Sequence, residues 1–211
     1  KATFSCCSLA LEKSPWLIEE ILNRKHEISA HGVKWISHAY FSREEEKKII
    51  NECYSSILKL SGRPPLGWHT KSSTSPFTRD LLIEHGGFMY DSNAYNDDIP
   101  YVIRQNDRKF VIIPYSFDTN DMRFDGNNGF VQGDDFNTYC KESFNQLLSE
   151  TDDGSLRMMS IGLHPRIIGR PGRIKGLEDF IKHIKTYQNV WIPTRIDIAK
   201  HCLEKDLFNF F

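Results

Sequence analysis

Glu27-Ile-Ser-Ala-His-Gly-Val-Lys-Trp-Ile-Ser-His38 decides the fold. A short run without helical period ends in His31, and Gly32 follows at once. It reads as a buried strand whose last side chain points into whatever pocket the strand ends enclose. Much later, Met158-Met-Ser-Ile-Gly-Leu-His-Pro165 repeats the arrangement: the run ends in His164, and Pro165, which lacks a backbone N–H, stops the ladder. One such histidine is more simply a turn residue. Two of them at two strand ends point to one site built from residues distant in sequence.

Working outward, residues 1–7 read as a strand, and Ser14-Pro15 supplies an N-cap and a first-turn proline for a helix over 15–24. Trp16, Leu17, Ile21 and Leu22 form its apolar face. Ser42 and Glu45 make a capping box for the longest helix, 43–60, which buries Ile49, Ile50, Cys53, Tyr54, Ile57 and Leu58 and ends at Ser61-Gly62. Strand 63–70 is entered through prolines, and Thr78 caps a helix over 79–84. Strands at 88–92 and 109–115 flank a loop, 93–100, dense in turn formers. Residues 116–133 are loop. Then come a helix to about 148, a strand at 158–163, a helix at 174–187, a last strand at 190–192, and a helix opened by Thr194 with Asp197. Alternation of strand and helix gives an α/β fold with a mostly parallel sheet. His31, Trp68, Asp91, the loop after Tyr115 and His164 all fall at or just beyond strand carboxyl ends, where a (β/α) barrel carries its active site. No Gly-rich phosphate loop follows the first strand, which disfavours an open doubly wound sheet.

With 211 residues, 39% hydrophobic and 26% charged, the chain suits a single domain around one sizeable core. A net charge of -1 and scattered Lys and Arg give no footprint for nucleic acid or an anionic membrane. Cys6, Cys7, Cys53, Cys140 and Cys202 are odd in number and show no CxxC or finger spacing, which fits a reducing, cytoplasmic compartment. No apolar run nears the roughly 20 residues of a membrane span. The expected partner is a small-molecule substrate, with no nucleic acid, no membrane and no cofactor; homo-oligomerisation stays open.

Lys1-Ala-Thr-Phe4, Glu27-Ile-Ser-Ala-His31, Arg63-Pro-Pro-Leu-Gly67, Tyr90-Asp-Ser92 and Leu163-His164 come in the order of the polysaccharide deacetylase, or NodB-homology, superfamily, which the chain resembles along essentially its whole length. Within it, His31-Gly-Val-Lys-Trp35, Gly67-Trp68, the stretch Asp91 to Pro100, Pro114-Tyr115, Asp118-Thr-Asn-Asp121 and the stretch Leu163 to Arg173 are most similar to the metal-independent allantoinases of urate catabolism. The resemblance implies a distorted (β/α) barrel of the NodB-homology type and hydrolysis of a carbon–nitrogen bond. The family's aspartate-bearing first motif would lie before Lys1, so the expectation is a domain incomplete at its amino end, without its first strand. Metal-dependent relatives carry His-Ser/Thr-x-x-His, whose two histidines share an ion. Here the second position is Trp35, a donor only, and His38 has the wrong spacing, so no metal is expected. A replacement site from His31, His164 and Asp91 is the alternative.

For the chemistry that the resemblance implies, His31 and His164 serve as acid and base near neutrality, and Asp91 orients one of them. Trp35 and Trp68 wall the pocket and stack on a flat ring. Tyr115 and Asn120 contact substrate. Arg166, Arg170 and Arg173 hold a ureido or carboxylate group, or else form a solvated loop that caps the next helix. The competing readings are a metal-dependent deacetylase of N-acetylated sugars and a non-catalytic remnant.

Overall fold

The computed structural model describes residues 1–105, 107–126, 129–152 and 154–207. They fall into two compact units: Lys1–Ala94, Pro100–Ile113 and Ile192–Phe211 form the first, Tyr95–Ile99 and Pro114–Trp191 the second.

The first unit contains β1 (Thr3–Cys6), α1 (Ser8–Lys13), α2 (Trp16–Asn23), β2 (Glu27–Ala30), α3 (Arg43–Ser61), β3 (Gly67–Trp68), α4 (Thr78–His85), β4 (Tyr90–Asp91), β5 (Tyr101–Gln105) and β6 (Arg108–Ile112). They make one sheet in the order β1-β2-β3-β4-β6-β5, parallel except for the edge strand β5. Ala30 is opposite Trp68, Trp68 opposite Asp91, and Asp91 opposite Ile112. The ladder then runs one residue further, with His31 N–H donating to Cys6 O, His69 to Ala30 O, Ser92 to Trp68 O and Ile113 to Asp91 O. His31, His69, Ser92 and Ile113 therefore stand side by side at the carboxyl ends of the strands.

One face of the sheet buries Ile28, Ala30, Trp68, Phe110 and Ile112 against Leu11, Ile18, Ile21, Ile50, Cys53, Ile57 and Leu82 of the helices, each large side chain contributing roughly 1.5–3 kcal/mol. The alternate residues are partly polar and internally bonded: Glu27 accepts from Thr3 Oγ1, Tyr90 OH and Ile196 N–H. Burial pushes the Glu27 carboxyl above its usual range.

The capping box of Ser42 and Glu45 forms as the sequence predicts, and Gly62 closes α3. On its inner face stands Glu46, fully buried and accepting from His38 Nδ1 at 2.8 Å, Thr78 Oγ1 at 2.6 Å and Ser75 Oγ. Burial raises the Glu46 carboxyl, but these bonds more than offset it and hold the group below its ordinary 4.5. A depressed carboxylate contributes stability that is complete above about pH 4.5 and lost as pH falls through the lower folded-state value. Urea unfolding at stepped pH should therefore fall more steeply on acidification for the wild type than for Glu46→Gln; parallel curves would refute this.

Several expected elements differ. Residues 8–13 are helical, and Ser14 closes that helix rather than capping the next; the segment is too short to show a period. In α2 the buried pair is Ile18 and Ile21, and Trp16 is 62% exposed. Thr78 lies inside α4 and spends its hydroxyl on Glu46 instead of an N-cap. β5 is an antiparallel strand that the sequence reading leaves unassigned, because only Val102 of its five residues is buried. Residues 190–192 belong to no named strand, and Trp191 and Ile192 are exposed.

In the second unit, α5 (Gly133–Ser149), α6 (Pro165–Ile168) and α7 (Pro171–Ile184) follow a 3-10 turn, Asp121–Phe124. Its core is Phe124, Phe130, Phe136, Cys140, Phe144, Ile167, Ile168, Phe180 and Ile184. The expected strand 158–163 is reduced to one bridge, Gly162 to Asn120, because its other backbone partners are single bonds to a loop rather than a ladder. The last helix of the first unit, Arg195–Glu204, opens with the expected capping box of Thr194 and Asp197. No helix among the described residues is long and apolar enough to cross a membrane.

Candidate active site

His31 belongs to the first unit and His164 to the second. In the first, β2 delivers His31 to the strand end, and Gly32 turns the chain with φ +81°, a conformation that favours glycine. A Cβ there would lie 3.3 Å from His38 Nε2, so the buried His38 leaves little room for a larger residue. His31 Nδ1 bonds the carbonyl oxygen of His69. A carbonyl can only accept, so Nδ1 carries the proton and Nε2 holds the lone pair of the neutral ring.

Asp91 does not orient a histidine through any bond the structure gives it. Its carboxylate is fully buried and receives Arg79 Nε at 2.8 Å, Arg79 NH2 at 3.3 Å and the Asn93 N–H at 2.9 Å. Burial works against the Arg79 charge, yet Asp91 more than compensates and holds the guanidinium above its ordinary range. Arg79, the second residue of α4, holds the carboxylate instead.

Trp68 is also a correction. It was expected as a pocket wall, but its side chain is fully buried in the core, Nε1 donates to Thr70 Oγ1 at 2.8 Å, and its ring meets Phe88 edge-on. Trp35 is 42% exposed, and the Lys71 ammonium lies 5.1 Å from the centre of its ring. A metal at the family's position would need Trp35 to supply a lone pair that an indole N–H lacks and would face the Lys71 cation. His38, the nearest other imidazole in sequence, is committed to Glu46. Among the described residues no three His, Cys, Asp or Glu side chains gather as a ligand set. The residues do not fit a metal. Burial also pushes the neighbouring thiols up, Cys6 to about 12 and Cys7 to about 11, so neither is a thiolate nucleophile near neutrality.

In the second unit, His164 stands just before α6, and its ring is held by a residue the sequence reading did not single out, Asp121. Fully buried Asp121 accepts from His164 Nδ1 at 2.6 Å through one oxygen, and from the backbone N–H of His164 at 2.6 Å and of Ile168 at 3.2 Å through the other. Side chain and backbone are thus fixed together. The carboxylate places the proton on Nδ1, leaves Nε2 as the basic nitrogen, and stabilises the imidazolium when a proton arrives. Asn120 precedes it, nearly buried, with Nδ2 donating to Tyr115 OH at 2.9 Å and Oδ1 accepting from Met122 N–H. Gly162 must be glycine here: a Cβ would lie 2.1 Å from Tyr115 OH and 2.4 Å from Asn120 Nδ2.

Tyr115 also lines an open cleft of about 400 Å³ with Tyr95, Phe117, Asp97, Asp98 and Asp118. Arg166 and Arg170 are exposed at α6 and the turn after it. Arg173 lies inside α7, where its guanidinium packs 4.6 Å from the Phe124 ring centre and donates to Ile167 O. Of the residues missed, Asp121 had one sequence signal, its place in Asp118-Thr-Asn-Asp121; His69 and Arg79 had none, since a carbonyl contact and a helix-to-strand ion pair leave no local pattern.

No family model matches the chain. A Schizosaccharomyces pombe protein assigned by name to the polysaccharide deacetylases is 33% identical over 218 residues, covering 95% of this chain and 68% of its own length. The peptidoglycan deacetylase of Helicobacter pylori is 25% identical over 88% of this chain and 73% of its own. Among solved structures, Puue allantoinase superposes with a TM-score of 0.92 and 39% identity, over 98% of this chain and 68% of that one. A Pseudomonas aeruginosa PAO1 protein assigned to the polysaccharide deacetylases gives 0.92 and 37%, over 98% and 70%. The α/β architecture with its mostly parallel sheet is that of these NodB-type barrel neighbours, and the open strand order is compatible with it. With this identity over most of both chains, the protein belongs to the polysaccharide deacetylase family.

Proposed function

We propose that the chain is a hydrolase of non-peptide carbon–nitrogen bonds that opens the ring of a small cyclic ureide or amide, in the manner of an allantoinase. The observation that carries this reading is the His164–Asp121 pair, an imidazole with its Nδ1 proton committed to a buried carboxylate. The likeness to Puue allantoinase, 39% identical, supports the ureide as substrate class.

In the proposed reaction His164 Nε2 takes a proton from water as the water oxygen bonds to the ring carbonyl carbon, and Asp121 stabilises the imidazolium. The tetrahedral oxyanion collapses, the carbon–nitrogen bond breaks, and the imidazolium returns its proton to the departing nitrogen. His31, whose Nδ1 donates to the His69 carbonyl oxygen, is the imidazole proposed for the first unit. Tyr115, Asn120, Arg166, Arg170 and Trp35 are the proposed substrate contacts.

The test offers allantoin and N-acetylglucosamine oligomers separately to the purified protein. Ring opening to allantoate, without ammonia release, is expected. Acetate release from the oligomers with allantoin untouched would overturn the reading in favour of a sugar deacetylase.

A further inference from the structure

The second unit holds an open cleft of which the reaction above uses a single tyrosine. It encloses about 400 Å³ and is built from two stretches of that unit, 95–98 and 115–118. A volume of this size suits a small molecule. Tyr95 and Phe117 stack face to face in its wall, with ring centres 4.6 Å apart and planes 7° from parallel, yet they remain 42% and 58% exposed. Tyr115 meets both edge-on, at 6.1 and 6.2 Å, and its hydroxyl is held by Asn120 Nδ2. Exposed rings scattered singly need no explanation, but rings gathered in one concavity mark a binding surface.

The rest of the wall is acidic. Asp97, Asp98 and Asp118 are exposed at the cleft, and among the described residues no Lys, Arg or His lines it. Arg123, the cation nearest to Asp118 in sequence, donates to the Asp118 backbone oxygen at 2.8 Å and lays its guanidinium 4.3 Å from the ring centres of Phe130 and Tyr139. The loop carrying the first two carboxylates is preformed: Asp97 Oδ1 accepts the Asp98 and Ile99 N–H groups at 2.7 and 3.3 Å, and the Asp98 carbonyl accepts the Met158 N–H at 3.0 Å. An aromatic face attracts a cation through its quadrupole, and carboxylates accept forked, charge-assisted N–H donors. A guanidinium satisfies both at once, being flat enough to stack and lined with donors around its rim. A carboxylate or phosphate would meet like charge.

We propose that this cleft binds the guanidinium group of a small guanidino compound, stacked on the Tyr95–Phe117 pair with its N–H groups turned toward the carboxylates. Binding here is independent of the ring-opening reading.

Methylguanidine and methylurea are the probes, since they are close in shape and differ in charge. Each is titrated into the whole protein carrying carbon-13 in its Phe and Tyr rings, with the Phe117 signal assigned by its loss in Phe117→Leu. Methylguanidine is expected to shift the Phe117 and Tyr95 signals saturably and to bind about tenfold more tightly than methylurea, the worth of a cation–π contact together with a charge-assisted bond. Asp118→Asn, and a rise in salt to about 0.5 M, which screens exposed charges, should each weaken it several-fold. Phe117 and Asp118 are exposed, so both variants should keep the fold, which circular dichroism checks. Equal binding of the two probes by the wild type, or a methylguanidine affinity that Phe117→Leu and Asp118→Asn both leave unchanged, would overturn the proposal. N-acetylarginine methylamide, which puts the same group on a peptide backbone, is expected to bind more weakly than methylguanidine; tighter binding would overturn the assignment to a small compound in favour of an arginine side chain.

Discussion

Asp121→Asn is expected to lower kcat for ring opening by about 10²- to 10⁴-fold, the range for losing general acid–base help, while KM changes little. The substitution is nearly isosteric, so the fold should persist. What changes is the group behind His164 Nδ1. A carboxamide can turn its NH2 toward Nδ1, which moves the ring proton to Nε2 and removes the lone pair that would accept from water. It also carries no charge to stabilise the imidazolium. The two backbone donors, His164 N–H and Ile168 N–H, keep one oxygen in either case, so binding should survive. Steady-state kinetics on the purified variant, with circular dichroism to confirm folding, read the outcome. A variant within a few-fold of wild type would show that His164 does not carry the proton.

The largest expected effect on stability comes from Glu46→Ala. That change strands the His38 Nδ1 donor and the Ser75 and Thr78 hydroxyls in a site with almost no solvent access. Removing one partner of a buried charged cluster typically costs about 3–5 kcal/mol, because the remaining groups keep their desolvation penalty without their bonds. For a protein whose total stability is of the order of 5–15 kcal/mol, such a loss moves the urea midpoint far. A midpoint within experimental error of the wild type would mean that the cluster is not a structural unit.

Much of this architecture could be read from local patterns. Ser42 with Glu45, and Thr194 with Asp197, announce their helices because a capping box is a contact between residues three apart. The strand ending at His31 was legible for a similar reason, since a short buried run followed by glycine has few alternatives. The antiparallel β5 was not, because an edge strand buries little and is held mainly by its pairing with β6. The run 158–163 has strand-like residues but lacks a neighbour to form a ladder, which no property of the segment itself reveals. At the site the same division holds. Histidines at strand ends could be nominated from position alone. Whether Asp91 or Asp121 backs an imidazole depended on Arg79 competing for the first and on the loop bringing the second beneath α6. Trp68 next to Gly67 could equally have lined a pocket or filled the core, and only burial separates the two.

If carbon–nitrogen bond hydrolysis here runs on the chain's own imidazoles and carboxylates, it needs no bound metal. This is tested most directly by measuring allantoin ring opening on protein stripped with a strong chelator, with metal content determined on the same sample. An unchanged kcat and no stoichiometric metal are expected. Activity that disappears on chelation and returns with one zinc, cobalt or iron per chain would contradict it.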